Sequence, residues 1–553
     1  MEIFEATLAL LAAALILSAM ATRFAIPYPS FLVMGGLILG FLPIVPGVEL
    51  DPELAFALFL PPILFEAAYY TSWRDFRANG RAIASLAVGL VAFSTWAVAR
   101  VADRLIPEMP LGSAVVLGAI VSPPDAAAAT AVLRRMHLPR RVIAIVEGES
   151  LVNDAVALVI YNFAVAAVVT GRFSRSDAAL ALGVTIVGSI ALGLFIGWAW
   201  TKLAERLTDP LLAIPGSFLT AFAAYLAAER LDLSGVLSVV AAGLYFARRA
   251  PTALTADARL GGAVVWRTTI FILNALAFVL VGLQLPQILN DLRDYPIATL
   301  ATDGAAIAGT AILVRLVWVV GISQTLRLVS RRSHRERFGS WREALVIGWS
   351  GMRGLVSLAA ALALPETTAD GLPFPARPLV LFLAFAVILG TLVAQGLTLS
   401  SLVRLVGLDH DSGDDEEERE ARMAAAKAAI DAIDALAENP ALPKEVLDRV
   451  RYLYSARISQ LSSDLESSPD QPSHGDFADA VRLAAIAAER KAVLVLRRTQ
   501  TIGDAALHRV QQDLDLLELA IKRRRASYAQ ASWVDLSDRA AGRVQRDPSH
   551  TAA

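Results

Sequence analysis

From Met1 to about Leu405 the chain is a succession of long apolar runs separated by short polar breaks. A helix needs about 20 mostly apolar residues to cross the hydrocarbon core of a bilayer. The runs fall at about 3–21, 29–45, 53–70, 82–105, 112–135, 142–170, 177–203, 210–229, 233–249, 264–286, 297–323, 341–365 and 378–404. Their number, thirteen, predicts an all-α polytopic membrane protein with its termini on opposite sides. Composition agrees: 56% of the 553 residues are hydrophobic, and the mean hydropathy is +0.55. The chain opens Met-Glu-Ile-Phe-Glu without a basic n-region, so the first run reads as a retained span. From Asp409 onward the sequence is charged and polar, with Ala and Leu at helical spacing over Glu416–Leu436 and Asp479–Lys522. Two domains follow, a transmembrane one over 1–405 and a helical cytoplasmic one over 409–553, frayed after about Ser532. The second reads either as an inert appendage or as a regulatory or dimer-stabilising element.

Basic residues orient the spans. One set of alternating loops holds Arg23, Arg74, Arg77, Arg81, Arg134, Arg135, Arg140, Arg141, Lys202, Arg206, Arg248, Arg249, Arg259, Arg327, Arg331, Arg332, Arg335, Arg337 and Arg342. The other holds only Arg100, Arg104, Arg172, Arg175, Arg230, Arg293 and Arg377. The richer set is expected in the cytoplasm, which puts the N-terminus outside and the tail inside a cell membrane. A net charge of −2 gives no case for a nucleic-acid partner, and the absence of cysteine excludes disulfides and thiolate chemistry. No cofactor-binding, hydrolytic or redox constellation is visible, so the chain reads as a non-enzyme without a cofactor.

Ionisable groups at membrane depth are costly and are functional candidates by default. The acids are Glu66, Asp125, Glu147, Glu149 and Asp154, and the bases are Arg267, Arg315 and Arg353. All six histidines fall in loops or the tail, so carboxylates are left to carry any protons that cross. In the sixth span, Glu147, Ser150 and Asp154 share one helical face, and Glu149 and Asn153 form the adjoining stripe. The alternative is an acidic vestibule or buried pairing with arginines.

Two spans are interrupted. Ser122-Pro123-Pro124-Asp125 removes two backbone donors in mid-span, and unwound backbone is tolerated there only when it lines a cavity or is buried in protein. The plainer reading is a proline kink with Asp125 as its N-cap. Gly351-Met352-Arg353-Gly354 breaks the twelfth span. The fifth and twelfth spans lie seven apart, which predicts two inverted six-helix repeats with the binding site at the breaks. A further proline pair, Pro61-Pro62, precedes Glu66, whose alternative role is an interhelical bond. Arg315 reads as an anchor by pairing or snorkelling, Arg267 as interfacial, and Asn274 as helix–helix glue.

These motifs, in this order over about residues 5–405, resemble the sodium/proton exchanger branch of the cation–proton antiporters, including NhaP-type proteins. The resemblance implies thirteen helices in inverted repeats, crossed unwound helices at the centre and a homodimer. It implies that Asp154 binds cation and proton alternately, with Asn153 the asparagine typical of electroneutral exchangers. Ser150, Ser122, Asp125 and Glu66 match positions near the ion, with Asp154 and Ser150 its direct ligands, and Glu149 and Arg353 match a structural ion pair. The Pro-Pro before Asp125 departs from the pair found in many relatives. A desolvated carboxylate is costly when charged and empty, so either a proton or a cation should neutralise it. That competition yields one-for-one exchange of Na+, K+ or Li+ for H+, serving pH and cation homeostasis. A proton-independent channel or uniporter, and a membrane sensor with a signalling tail, are the alternatives.

Overall fold

The computed structural model describes residues 2–24, 26–42, 52–133, 136, 138–171, 175–329, 340–408, 413–437, 443–463, 482–483, 486, 489 and 513–522. All six histidines, Arg134, Arg135, Arg172, the arginines from 331 to 337 and most of residues 464–553 lie outside them. The described residues are helical, and the only extended pairing among them is an isolated bridge between Thr367 and Pro373. Two compact units emerge, 1–410 and 411–553.

In the first unit the helices follow the apolar runs. They begin α1 (Glu2–Arg23), α2 (Tyr28–Gly40), α3 (Pro52–Tyr70), α4 (Trp73–Ala78), α5 (Gly80–Ala84) and α6 (Val91–Leu105). The next are α7 (Leu111–Val121), α8 (Ala126–Leu133), α9 (Arg140–Thr170), α10 (Arg175–Ala204), α11 (Pro210–Glu229) and α12 (Gly235–Ala253). The unit closes with α13 (Ala256–Leu283), α14 (Leu285–Asn290), α15 (Ile297–Val329), α16 (Trp341–Trp349), α17 (Leu355–Leu362) and α18 (Arg377–Val406). A π-helical turn at Ser85–Leu90 joins α5 to α6 into one rod. Among the described residues, eight stretches are long and apolar enough to cross a membrane, and three shorter apolar helices accompany them. α12 and the broken α16–α17 pair fall on two further apolar runs.

Proline acts differently in two places. Pro61 and Pro62 sit inside an unbroken α3, whereas Pro123 and Pro124 separate α7 from α8. Elsewhere small residues let helices meet backbone to backbone. A methyl at Gly36 would strike the Val279 carbonyl, and one at Gly282 would strike Val33, so α2 and α13 pack backbone against backbone. α16 opens with a capping box, Ser340 with Glu343, and Glu343 pairs with Arg141 of α9 at 3.2 Å.

The apolar interior forms two clusters. One gathers α7, α8, α17 and α18 around residues such as Leu117, Leu358 and Phe385. The other gathers α3, α11 and α12 around Phe65, Ala224 and Phe246. α9 and α13 contribute to both, and a cavity opens between the clusters. Large apolar side chains such as Val187, Phe195, Leu219, Val264 and Val317 face outward, as a lipid environment permits. The second unit contains α19 (Gly413–Leu436) and α20 (Lys444–Ser463), bridged by Arg451 and Asp434 at 3.2 Å. Ile486, Leu514 and Ile521 form a small apolar cluster of its own.

Candidate functional site

The two interruptions meet. Two consecutive prolines leave Asp125 as the next residue able to donate from the backbone, and its N–H donates to the Met352 carbonyl at 2.6 Å. Arg353 returns the contact, its Nε donating to the Val121 carbonyl at the end of α7 at 2.9 Å. The guanidinium also donates to the Gly351 carbonyl and, at 3.5 Å, to the Ala311 carbonyl of α15. Carbonyls at a helix end have no partner within the helix and are expensive to bury unpaired. Arginine, with five donors in a fork, suits that place. Thr391 of α18 holds the break from the other side by accepting from the Arg353 N–H at 3.1 Å.

Asp125 begins α8 as expected of a cap, its Oδ1 accepting from the Ala127 N–H at 2.8 Å. Gly354 makes this possible, because a methyl there would occupy the position of the Asp125 carboxylate. α9 passes beside the same break. Asn153 is fully buried and its Nδ2 donates to the Pro124 carbonyl at 2.9 Å, while its Oδ1 has no hydrogen-bond partner. The Ser150 hydroxyl accepts a long bond, 3.4 Å, from the Ala126 N–H. Asp154 stands one turn further along α9 and is 6% exposed.

Asp154, Ser150 and Asp125 all line the cavity, together with Glu66 of α3 and Glu147 of α9. Its volume is about 780 Å³, ample for a hydrated monovalent ion at about 30 Å³ per water. The remaining walls come from α13, from Tyr28 of α2 and from Leu355 and Val356 of α17. Four carboxylates with a hydroxyl and an amide nearby make a hard-oxygen environment, suited to alkali cations and protons rather than to anions.

Two expected placements change. Glu149 pairs with Arg315 of α15 and not with Arg353: the bonds are 2.5 and 2.8 Å, and both side chains are at most 2% exposed. Arg315 also donates to the Ile347 carbonyl of α16 at 3.1 Å. The physical reason is that the broken helix ends engage the Arg353 guanidinium, while the adjoining stripe of α9 turns Glu149 toward α15. Arg315 is therefore buried and paired rather than snorkelling. Ser122 turns away from the cavity, its hydroxyl donating to the Ala119 carbonyl of its own helix at 3.1 Å.

A model of the transmembrane sodium/hydrogen exchanger family matches residues 9–405. The chain belongs to the sodium/hydrogen exchanger family. It is 34% identical over 520 residues to an uncharacterised Na(+)/H(+) exchanger of Mycobacterium tuberculosis, covering 93% of this chain and 95% of that one. It is also 34% identical to a sodium, potassium, lithium and rubidium/H(+) antiporter of Bacillus subtilis, over 73% of this chain and 62% of the relative. The solved structure of the sodium proton antiporter MjNhaP1 from Methanocaldococcus jannaschii matches its fold with a TM-score of 0.57 at 21% identity, covering 74% of this chain and all of that one. This exchanger is thus a multi-pass membrane transporter of the cation/proton-exchanging kind.

Sequence reasoning missed two residues of the exchanger's cavity. Asn274, read as glue, and Arg267, read as interfacial, both lie in its wall. Their spacing of seven places them on one face of α13, and that shared face was the available signal.

Proposed function

We propose that this exchanger trades one monovalent cation for one proton at Asp154, by alternating access around the crossed breaks. The observation that carries the reading is the convergence of Asp154, Ser150 and Asp125 on one cavity wall beside two interrupted helices. Asp154 is the group for which proton and cation compete, because an empty buried carboxylate is costly and either ligand removes its charge. Ser150 and Asp125 supply further oxygens, and Glu66 lines the same cavity. Since the Ser122 hydroxyl is engaged within its own helix, any contribution from that residue to the ion would come from its backbone carbonyl. The paired Glu149 and Arg315 add no net charge and brace α9 against α15.

In this reading the apolar series makes thirteen spans in two inverted repeats, assembled as a homodimer in the cell membrane. The N-terminus is outside, and the unit from residue 411 is cytoplasmic. The cation is Na+, K+ or Li+, and the exchange serves pH and cation homeostasis. Relatives whose names include sodium, potassium, lithium and rubidium favour a site that admits several alkali ions.

The deciding measurement is proton flux in proteoliposomes against each cation, with and without a membrane potential. Cation-driven flux insensitive to potential is expected, and it should vanish in Asp154→Asn. Full exchange by that variant would sink the assignment. Current without proton coupling would favour a channel.

A further inference from the structure

A cation cavity that carries its own guanidinium poses a physical problem. Arg267 lines the cavity together with Glu66, Asp125, Glu147 and Asp154. On α13, Arg267, Ile270 and Asn274 form one stripe along the wall, and on α9 Glu147, Ser150 and Asp154 form another. Each stripe runs over seven residue steps, about 10 Å of helix. Exposure falls along both, since Arg267 is exposed, Glu147 half-buried, and Asp154 and Asn274 buried. The cavity therefore has an open tier, with Arg267 and Glu147, and a closed tier, with Asp154 and Asn274.

We propose that Arg267 is a tethered counter-charge that sets how tightly the cavity holds the transported cation. When the cavity is empty, the guanidinium supplies part of the positive charge its carboxylates lack. An entering cation must share that field with it, so Arg267 lowers cation affinity and keeps the ion releasable. Arginine suits the task because its guanidinium is a delocalised, weakly hydrated cation. Arg267 acts through the field of the carboxylates, as a positioning residue, and is not an ion ligand. This inference rests on the exchange reading above.

The test is the apparent KM for Na+ in proteoliposomes, together with the Na+ concentration giving half-maximal thermal stabilisation of the purified protein. For an ion held one stripe length, about 10 Å, from the guanidinium, removing that unit charge changes affinity about twofold at the dielectric of water and about fifteenfold at an effective value near 20. Arg267→Gln and Arg267→Met should lower both readings within that range. Arg267→Lys, which keeps the charge, should stay near the unsubstituted protein, and Glu147→Gln should raise both. Unchanged or raised values in the neutral variants would overturn the proposal, as would Arg267→Lys behaving like Arg267→Gln. If the unsubstituted protein showed no cation-driven proton flux, the exchange reading would fail, while the stabilisation titration would still judge Arg267.

Discussion

The proline break and the glycine break look alike in sequence and do opposite work. At Pro123-Pro124 the chain loses donors, and the acid that follows is presented to the cavity. At Gly351–Gly354 the chain keeps its donors and gains room. A side chain at Gly351 would meet Arg315, and one at Gly354 would meet Asp125. The arginine between them turns inward, onto carbonyls of both breaks. Proline thus presents a carboxylate to the cavity, and glycine lets an arginine approach. Each break also supplies what the other lacks, through the bonds from Asp125 to Met352 and from Arg353 to Val121.

If that division holds, substitutions should separate transport from stability. The largest effect falls on α9 beside the proline break: Asp154→Asn should abolish cation-dependent proton flux while thermal stability is retained. Loss of fold together with flux would blur the contrast. Next come the ion-pair partners. Removing one member of a buried pair costs about 3–5 kcal/mol by stranding the other. Glu149→Gln and Arg315→Gln should each lose that much on unfolding, and the double variant should lose less than their sum. Glu149→Gln with Arg353→Gln should instead show weaker coupling, and strong coupling would return Glu149 to Arg353. Gly354→Ala forces a methyl onto the Asp125 carboxylate, an overpacking cost of about 1–3 kcal/mol, and should depress transport by displacing that acid. A variant with unaltered melting temperature and turnover would contradict the close approach. Smallest is Asn153→Ala, which strands the Pro124 carbonyl and should cost about 1 kcal/mol, the low end for a buried group left unpaired. A thermal-unfolding series checks it against the others.

The second interior contrast is between partners that share a helix and partners that do not. Glu147, Ser150 and Asp154 were legible as one face because helical periodicity is local. The partner of Glu149 was not, because Arg315 lies 166 residues away and Arg353 farther still. Nothing in either local sequence states how far its helix is rotated or how deep it sits. The same gap hid the cavity positions of Arg267 and Asn274, and the bond of the Ser122 hydroxyl within its own helix.

By itself, then, the sequence determined an all-helical membrane chain, the order of its apolar helices, the two places where they break, and the acids carried beside those breaks. These follow from hydrophobic length, helical period and the missing proline donors, all of which are local. Only the tertiary structure decided that the breaks bond to each other, that Arg353 engages carbonyls while Arg315 takes Glu149, and that an arginine shares the cavity with four acids. Those outcomes depend on the rotation and depth at which distant helices pack.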